Sequence, residues 1–352
     1  MRGHVKSFRP LLYFWAAILG ILALGAITLQ MLGAPGALPA KPEPPLSSAS
    51  APLSPRPPAP KPAPAVEGIA DPDLSLLEQA PGLPGRMLPR ISESGRTPAQ
   101  AYAAAFDKTE RHPRIALVID GIGLDRALGE QALHTLPPSI DIAFSVYAVP
   151  QAIEALGQEA RRQGRECLVS IPMEPSGFPV VEEGDKSLLT GGIPQQNRLN
   201  LDWALSSVQG CVGATGGSDG MAGERFAESR QAFGEVLAQT ERRGLLYLDP
   251  RPGAPPPDDA AQGDSLPKVV DVVVDRPASP DEPASADMID KNLAALEKIA
   301  SEHGSAIGLA GPPRSVLLER LAVWANGLAA RGMVLAPLTA IPPRTVTPDG
   351  PP

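Results

Sequence analysis

Arg114-Ile-Ala-Leu-Val-Ile-Asp120-Gly121-Ile-Gly123 is an apolar, β-branched run that ends in a carboxylate and two glycines. The apolar part, Ile115 to Ile119, is too short for an ordinary helix, and its Ile and Val content suits a strand buried on both faces of a parallel sheet. Residues just past the C-terminal end of such a strand line the crevice or barrel mouth where α/β proteins bind ligands. Asp120 therefore occupies a site position. The plain alternative is that it caps the next helix.

Outward from this run the chain alternates strand and helix, the pattern of a parallel α/β sheet or barrel. After the first strand a helix is predicted near Asp125 to Leu136, a strand at Ile140 to Val146 and a helix from Pro150 to Gln163. A third strand follows in Glu166-Cys-Leu-Val-Ser170-Ile-Pro-Met-Glu174-Pro and ends at a polar turn. Helices at Asn197 to Val208 and Phe226 to Arg243 flank a short strand at Cys211 to Ala214, and Leu245-Leu-Tyr-Leu-Asp249 again ends in a carboxylate. Strand Val269 to Val274, helix Ser285 to Glu302, strand Ser305 to Leu309, helix Ser315 to Ala330 and strand Met333 to Pro337 complete a set of about seven strands. No short internal repeat is visible, which disfavours a solenoid.

The first part of the chain reads differently. Leu11 to Leu32 is uncharged and mostly apolar, and at 1.5 Å per residue it is long enough to cross a hydrocarbon core of about 30 Å. Arg2, Lys6 and Arg9 precede it and no charge follows until Lys41, so residues 1–10 are placed in the cytoplasm and the remainder outside. The rival is a cleaved signal peptide, but the apolar region is long for one and no clean A-x-A site follows. Residues 33–70, rich in Pro, Ala and Ser, cannot bury enough apolar surface to fold and act as an extended spacer. A lead-in segment at 71–113 includes Thr97-Pro-Ala-Gln-Ala-Tyr-Ala-Ala-Ala-Phe106, which reads as a capped helix with Pro at its first position. The main domain spans 114–342, and 343–352 is a tail. The expected location is a single pass through an inner membrane, with the large domain in the periplasm.

A formal net charge of −8 argues against nucleic acid, and no basic stripe with interleaved aromatics appears. The two cysteines, Cys167 and Cys211, both fall in the exported part, where a disulfide is permitted. Cys167 lies inside an apolar strand pattern, so a buried free thiol stays open beside a bridge.

Ile115-Ala-Leu-Val-Ile-Asp120-Gly121-Ile-Gly123, Gly164-Arg-Glu-Cys-Leu-Val-Ser170-Ile-Pro-Met-Glu-Pro175, Tyr247-Leu-Asp249 and Ala306-Ile-Gly308-Leu-Ala-Gly-Pro312, in that order, resemble the divergent polysaccharide deacetylases, a branch of the NodB-like superfamily. The resemblance covers about Arg114 to Pro342. It implies a distorted (β/α) barrel and hydrolysis of acetyl groups on a polysaccharide. That chemistry uses a divalent metal to polarise the carbonyl and acidify a water, an Asp as base, and a His to protonate the leaving group.

The ligands for such a metal are not carried over. Where the family has two adjacent Asp residues, base and metal ligand, this chain has Asp120 and Gly121. Ser170 stands where a His often ends the third strand. Ala214-Thr-Gly-Gly-Ser-Asp219-Gly-Met-Ala-Gly-Glu224 replaces the histidine motif, and Gly308-Leu309-Ala310-Gly311 replaces a later Gly-His-Pro type motif. The only histidines are His4, His112, His134 and His303, none at the C-terminal end of a predicted strand. No zinc or other cofactor is therefore expected. A hard-ion site of Asp120, Asp219, Glu224 and Asp249 lacks supporting ligand spacing. G-x-S-x-G and P-loop motifs are absent. Asp120 and Glu174 could pair as glycosidase carboxylates, against the plain reading of Glu174 as a solvated loop acid.

The candidate residues are thus Asp120 in the base position, vestigial without its partner, with Asp249 and Glu174. Gly121, Gly123, Ser170, Met173 and Asp219 are expected to contact ligand. The expected role is a membrane-anchored, deacetylase-like protein that binds an envelope glycan or acts as an interaction module; a protein partner is compatible with it. The alternative is an active hydrolase using Asp120 with an atypical metal site.

Overall fold

The lead-in segment supplies a small antiparallel pair, β1 (Leu77–Gln79) with β2 (Met87–Pro89), and a single helical turn, α1 (Pro98–Ala101). Thr97 and Gln100 form a reciprocal capping box at its start, so the Thr-Pro signal marks a real but short helix that stops at Tyr102. The computed structural model describes residues 67–217, 221–254, 267–276 and 285–342. The expected span at 11–32, the spacer up to residue 66, the tail and Asp219 lie outside them. Among the described residues, no helix is long and apolar enough to cross a membrane.

The main sheet contains β3 (Arg114–Ile122), β4 (Asp141–Ser145), β5 (Cys167–Ile171), β6 (Gly213–Gly216), β7 (Leu246–Asp249), β8 (Lys268–Val269), β9 (Val272–Val273), β10 (Ser305–Ala310) and β11 (Val334–Leu335). Its order is β8-β7-β6-β5-β4-β3-β10-β9, with β11 also on β3 and every pairing parallel. Among the described residues it therefore has nine strands rather than about seven. One cause is that the stretch expected as a single strand, Val269 to Val274, is two strands serving opposite edges. Val270 N donates to Asp249 O of β7 at 3.0 Å, whereas Asp271 N donates to Ile307 O and Val274 N to Leu309 O of β10, at 2.8 and 2.7 Å. One short segment thus bonds to both outer edges of the curled sheet and brings them together.

The connections are helices: α2 (Arg126–Thr135), α3 (Pro150–Arg162), α4 (Pro194–Leu205), α5 (Glu224–Glu228), α6 (Arg230–Arg242), α7 (Ala286–His303) and α8 (Ser315–Leu328). The helix predicted from Phe226 is divided at Ser229, whose extended backbone (ψ 91°) interrupts it.

Alternation along the strands sorts the core. Ile115, Leu117 and Ile119 pack with the helices, while Ala116 and Val118 pack with Ala143, Leu168, Leu248, Ile307 and Leu309 on the inner face of the sheet. The inner cluster is closed by Ala336, Leu338 and Ile341 from the last described segment. At this N-terminal end two inward carboxylates, both fully buried, receive the same segment. Leu338 N donates to Asp141 Oδ2 at 2.7 Å, and Thr339 N and Ala104 N donate to Glu166 at 3.1 and 2.9 Å.

Cys167 and Cys211 sit where the adjacent strands β5 and β6 begin, with Cα atoms 4.7 Å apart, and form a disulfide. The free-thiol alternative is set aside by proximity of strand ends that lie 44 residues apart in sequence.

Candidate functional site at the C-terminal ends of the strands

The opening run does not stop at Asp120. β3 continues to Ile122, and its register against β4 shifts between Ile119 and Ile122. Gly121 and Gly123 take φ values of +75° and +98°, backbone that glycine adopts without strain. The irregularity re-aims the strand end, as bulges near sites do. Asp120, two residues beyond Val118, faces inward and is 5% exposed.

The same parity brings a polar layer together. Ser145 on β4, Ser170 on β5 and Thr215 on β6 are in register across the sheet, Ser145 opposite Ser170 and Ser170 opposite Thr215. All are buried. Ser170 Oγ donates to Asp120 Oδ1, while Thr215 Oγ1 donates to Leu248 O at 2.8 Å. Thus the sheet interior is apolar in the middle and ends in an acid held by a hydroxyl. Ser145 and Thr215 were absent from the sequence candidates, although their spacing from inward Ala143 and Gly213 is the same signal that marks Ser170.

Around this layer Asp249, Asp275 and Glu174 are each paired with an arginine. Asp249 accepts from Arg251 N, Nε and Nη2 at 3.0, 2.9 and 2.6 Å, and the Arg251 guanidinium lies 5.2 Å from the centre of the Phe233 ring. Burial pulls the Arg251 pKa down, but the Asp249 contacts outweigh it and hold the guanidinium above its ordinary value. Asp275, just past β9, accepts from Arg314 Nη2 at 2.7 Å and Gly311 N at 3.1 Å. Burial pushes its carboxyl up, and Arg314 opposes the rise. Sequence candidates omitted Asp275, although Val272-Val273-Val274-Asp275 repeats the strand-then-acid signal. Arg314 carries no local signal, because its partner lies 39 residues away, whereas Arg251 clamps the acid two residues before it.

Glu174 is not a solvated loop acid. It is buried, takes Arg225 Nε at 2.7 Å and Thr190 N at 2.7 Å, and so staples the loop after β5 to α5. Met173 is core: its backbone N donates to Glu183 Oε2 at 2.8 Å, and its side chain lies against Gly216 and Gly223. Gly123 is held close, since a Cβ there would lie 2.8 Å from Ala148 Cβ. The loops after β3, β4 and β5 expose aliphatic side chains, Leu124, Val149, Val180, Val181 and Ile193.

A metal of the kind the resemblance implies does not fit these residues. At Gly121, where the liganding carboxylate would stand, a Cβ would lie 2.7 Å from Pro312 Cβ. Asp249 is occupied by Arg251 and Asp120 accepts from Ser170. Of the described histidines, His112 pairs with Glu110 ahead of β3, and His134 and His303 lie in the last turns of α2 and α7. Among the described residues no three His, Cys, Asp or Glu side chains are grouped to hold an ion.

A curled parallel sheet wrapped by helices, with an inward acid and carboxylate–arginine pairs at the C-terminal strand ends, defines a (β/α) barrel-like protein whose candidate site lies at the conventional end. Residues 117–341 match the family of divergent polysaccharide deacetylases, and the chain belongs to that family. A crystal structure of an uncharacterized protein from Agrobacterium tumefaciens C58 is similar, with TM-score 0.62 and 27% identity, covering 72% of this chain and 99% of that one. The catalytic domain of a peptidoglycan N-acetylglucosamine deacetylase from Eubacterium rectale is a looser likeness, with TM-score 0.42 and 15% identity over 68% of this chain and 95% of that one. An uncharacterized protein of Haemophilus influenzae is 27% identical over 138 residues, 39% of this chain and 46% of that relative. The matched part thus spans less than half of that relative's length.

Proposed function

We propose that this chain is a membrane-anchored, periplasm-facing member of its family that binds an envelope glycan at the strand ends and has lost metal-dependent hydrolysis. The observation that carries the reading is the Asp120–Gly121 corner. The acid is kept inside the barrel with Ser170 as its partner, while the place of its liganding neighbour is closed by Pro312. Binding survives such a change more readily than catalysis, because a Lewis acid contributes to the transition state and not to holding the sugar. The disulfide supports an oxidising compartment, and the apolar segment at 11–32 with its flanking charges supports the anchor and its orientation. The rival reading, a hydrolase working through Asp120, draws on the burial of that carboxylate beside a hydroxyl.

The test is to purify the full chain in mild detergent, measure its metal content, and assay acetate release from acetylated glycans alongside Asp120→Asn. Glycan binding without metal-dependent acetate release is expected. Stoichiometric metal, with release abolished by the substitution, would overturn the proposal in favour of the rival.

A further inference from the structure

We infer that the mouth recognises an anionic group, a carboxylate or phosphate carried by the glycan, through Arg251 and Arg314. The inference rests on the reading that the strand ends are the glycan site. Its basis is the arrangement of charge round the rim. Because the segment 268–273 bonds to both β7 and β10, the C-terminal ends of β7, β9 and β10 follow one another, and β3 with Asp120 comes next. Each of the first three ends is followed by an arginine: Arg251, Arg276 and Arg314.

The three arginines are matched by Asp249, Asp275 and Glu224, and Asp120 adds a further acid, but the charges differ in depth. In the Asp249–Arg251 pair the side chains are 4% and 21% exposed, and in the Asp275–Arg314 pair they are 4% and 41% exposed. Arg276 meets Glu224 at 3.8 Å. In both pairs the acid is buried and the guanidinium is the more exposed partner, so the N–H donors are the groups open to a ligand. Arg251 spends Nε and Nη2 on Asp249, leaving Nη1 outside that pair. Arg314 spends Nη2 on Asp275, and its Nε is buried without a hydrogen-bond partner.

Guanidinium forks match planar carboxylates and phosphates, and a fork already fixed by a buried acid loses little freedom on binding. The Phe233 ring restrains the Arg251 head further. Neutral hydroxyls would gain less from these donors. The contrary reading is that the pairs merely staple strand ends, in which case the charge of the ligand would not matter.

The experiment is calorimetric titration of the full chain with three oligosaccharides of equal length: neutral N-acetylglucosamine oligomer, the same backbone bearing a carboxylate, and the same backbone bearing a phosphate. The expected result is about tenfold tighter binding of at least one anionic form, the scale of a charge-assisted hydrogen bond, with the preference shrinking at high salt. Which form gains identifies the anion. Arg314→Gln should reduce the ratio of anionic to neutral affinity, as should Arg251→Lys, which keeps the charge but not the fork. Asp249→Asn with Arg251→Gln replaces the pair by neutral groups of similar shape, so that a loss of preference there is not the effect of an uncompensated buried acid. Equal affinity for all three oligomers, untouched by these substitutions, would overturn the inference and leave the glycan site standing. Binding of none of them would overturn both.

Discussion

Substituting Gly121 tests the claim that the second carboxylate of the family is excluded by packing. Two penalties apply. The backbone there has φ +75°, which costs a residue with a Cβ about 1–2 kcal/mol. The new Cβ would also lie 2.7 Å from Pro312 Cβ and 3.1 Å from Pro312 Cα, and relieving such overpacking costs about 1–3 kcal/mol. Gly121→Ala should therefore lose roughly 2–5 kcal/mol, a large share of the ~5–15 kcal/mol that stabilises a typical domain. Gly85 supplies the control, with φ +78° and nothing within 4 Å of its would-be Cβ, so Gly85→Ala should pay the backbone cost alone. The assay is urea unfolding of the full chain followed by tryptophan fluorescence, with midpoints and slopes compared. Gly121→Asp should be at least as damaging as Gly121→Ala and should not gain a bound metal. Equal losses at Gly121 and Gly85 would refute the packing argument. A stable Gly121→Asp variant that binds zinc would show that the corner can still accept the ligand.

The buried pair at the other end of the sheet gives a pH prediction. Burial first, then Glu166 beside it, raises the Asp141 carboxyl well above its usual range, against the pull of Arg165; burial likewise raises Glu166, opposed by Thr339 and Lys268. The folded state therefore holds a proton that the unfolded chain releases above about pH 4, so stability is fullest below that and falls as pH rises through the raised native value. Asp141→Asn should flatten that decline in urea midpoints taken from pH 5 to 9, and parallel curves for the two proteins would contradict the assignment. The disulfide joins residues 44 apart, which in the chain-entropy account is worth about 4 kcal/mol. Cys167→Ala with Cys211→Ala should lose a measurable part of this, and the oxidised protein unfolded in guanidinium should show no thiol by colorimetric titration; two reactive thiols would disprove the bridge.

Much of the fold could be read from period and punctuation. The strand-and-helix succession from Arg114 follows from short apolar runs, amphipathic stretches and glycine stops, and most predicted boundaries lie within a few residues of those observed. Val269 to Val274 is the instructive failure. Its composition reads as one strand, yet it serves two edges because the sheet curls until both are within reach. At the site, the sequence marks Asp120 and Asp249 as strand-end acids but does not separate the acid facing a hydroxyl inside the barrel from the one clamped by arginine. Glu174 reads as a solvated loop acid because its partner, Arg225, lies on an element far along the chain.

The sequence by itself determines the parallel α/β alternation, the apolar N-terminal segment, the placement of all four histidines away from predicted strand ends, and the glycine beside Asp120. These are properties of local order, period and composition. Tertiary structure alone decides that Asp120 meets Ser170, that Pro312 occupies the space beside Gly121, that Cys167 joins Cys211, and that arginines stand above buried acids on consecutive strand ends. Apart from the Asp249–Arg251 pair, which lies within one turn of chain, these are contacts between residues distant in sequence, created by strand register and sheet curvature, which no local pattern encodes.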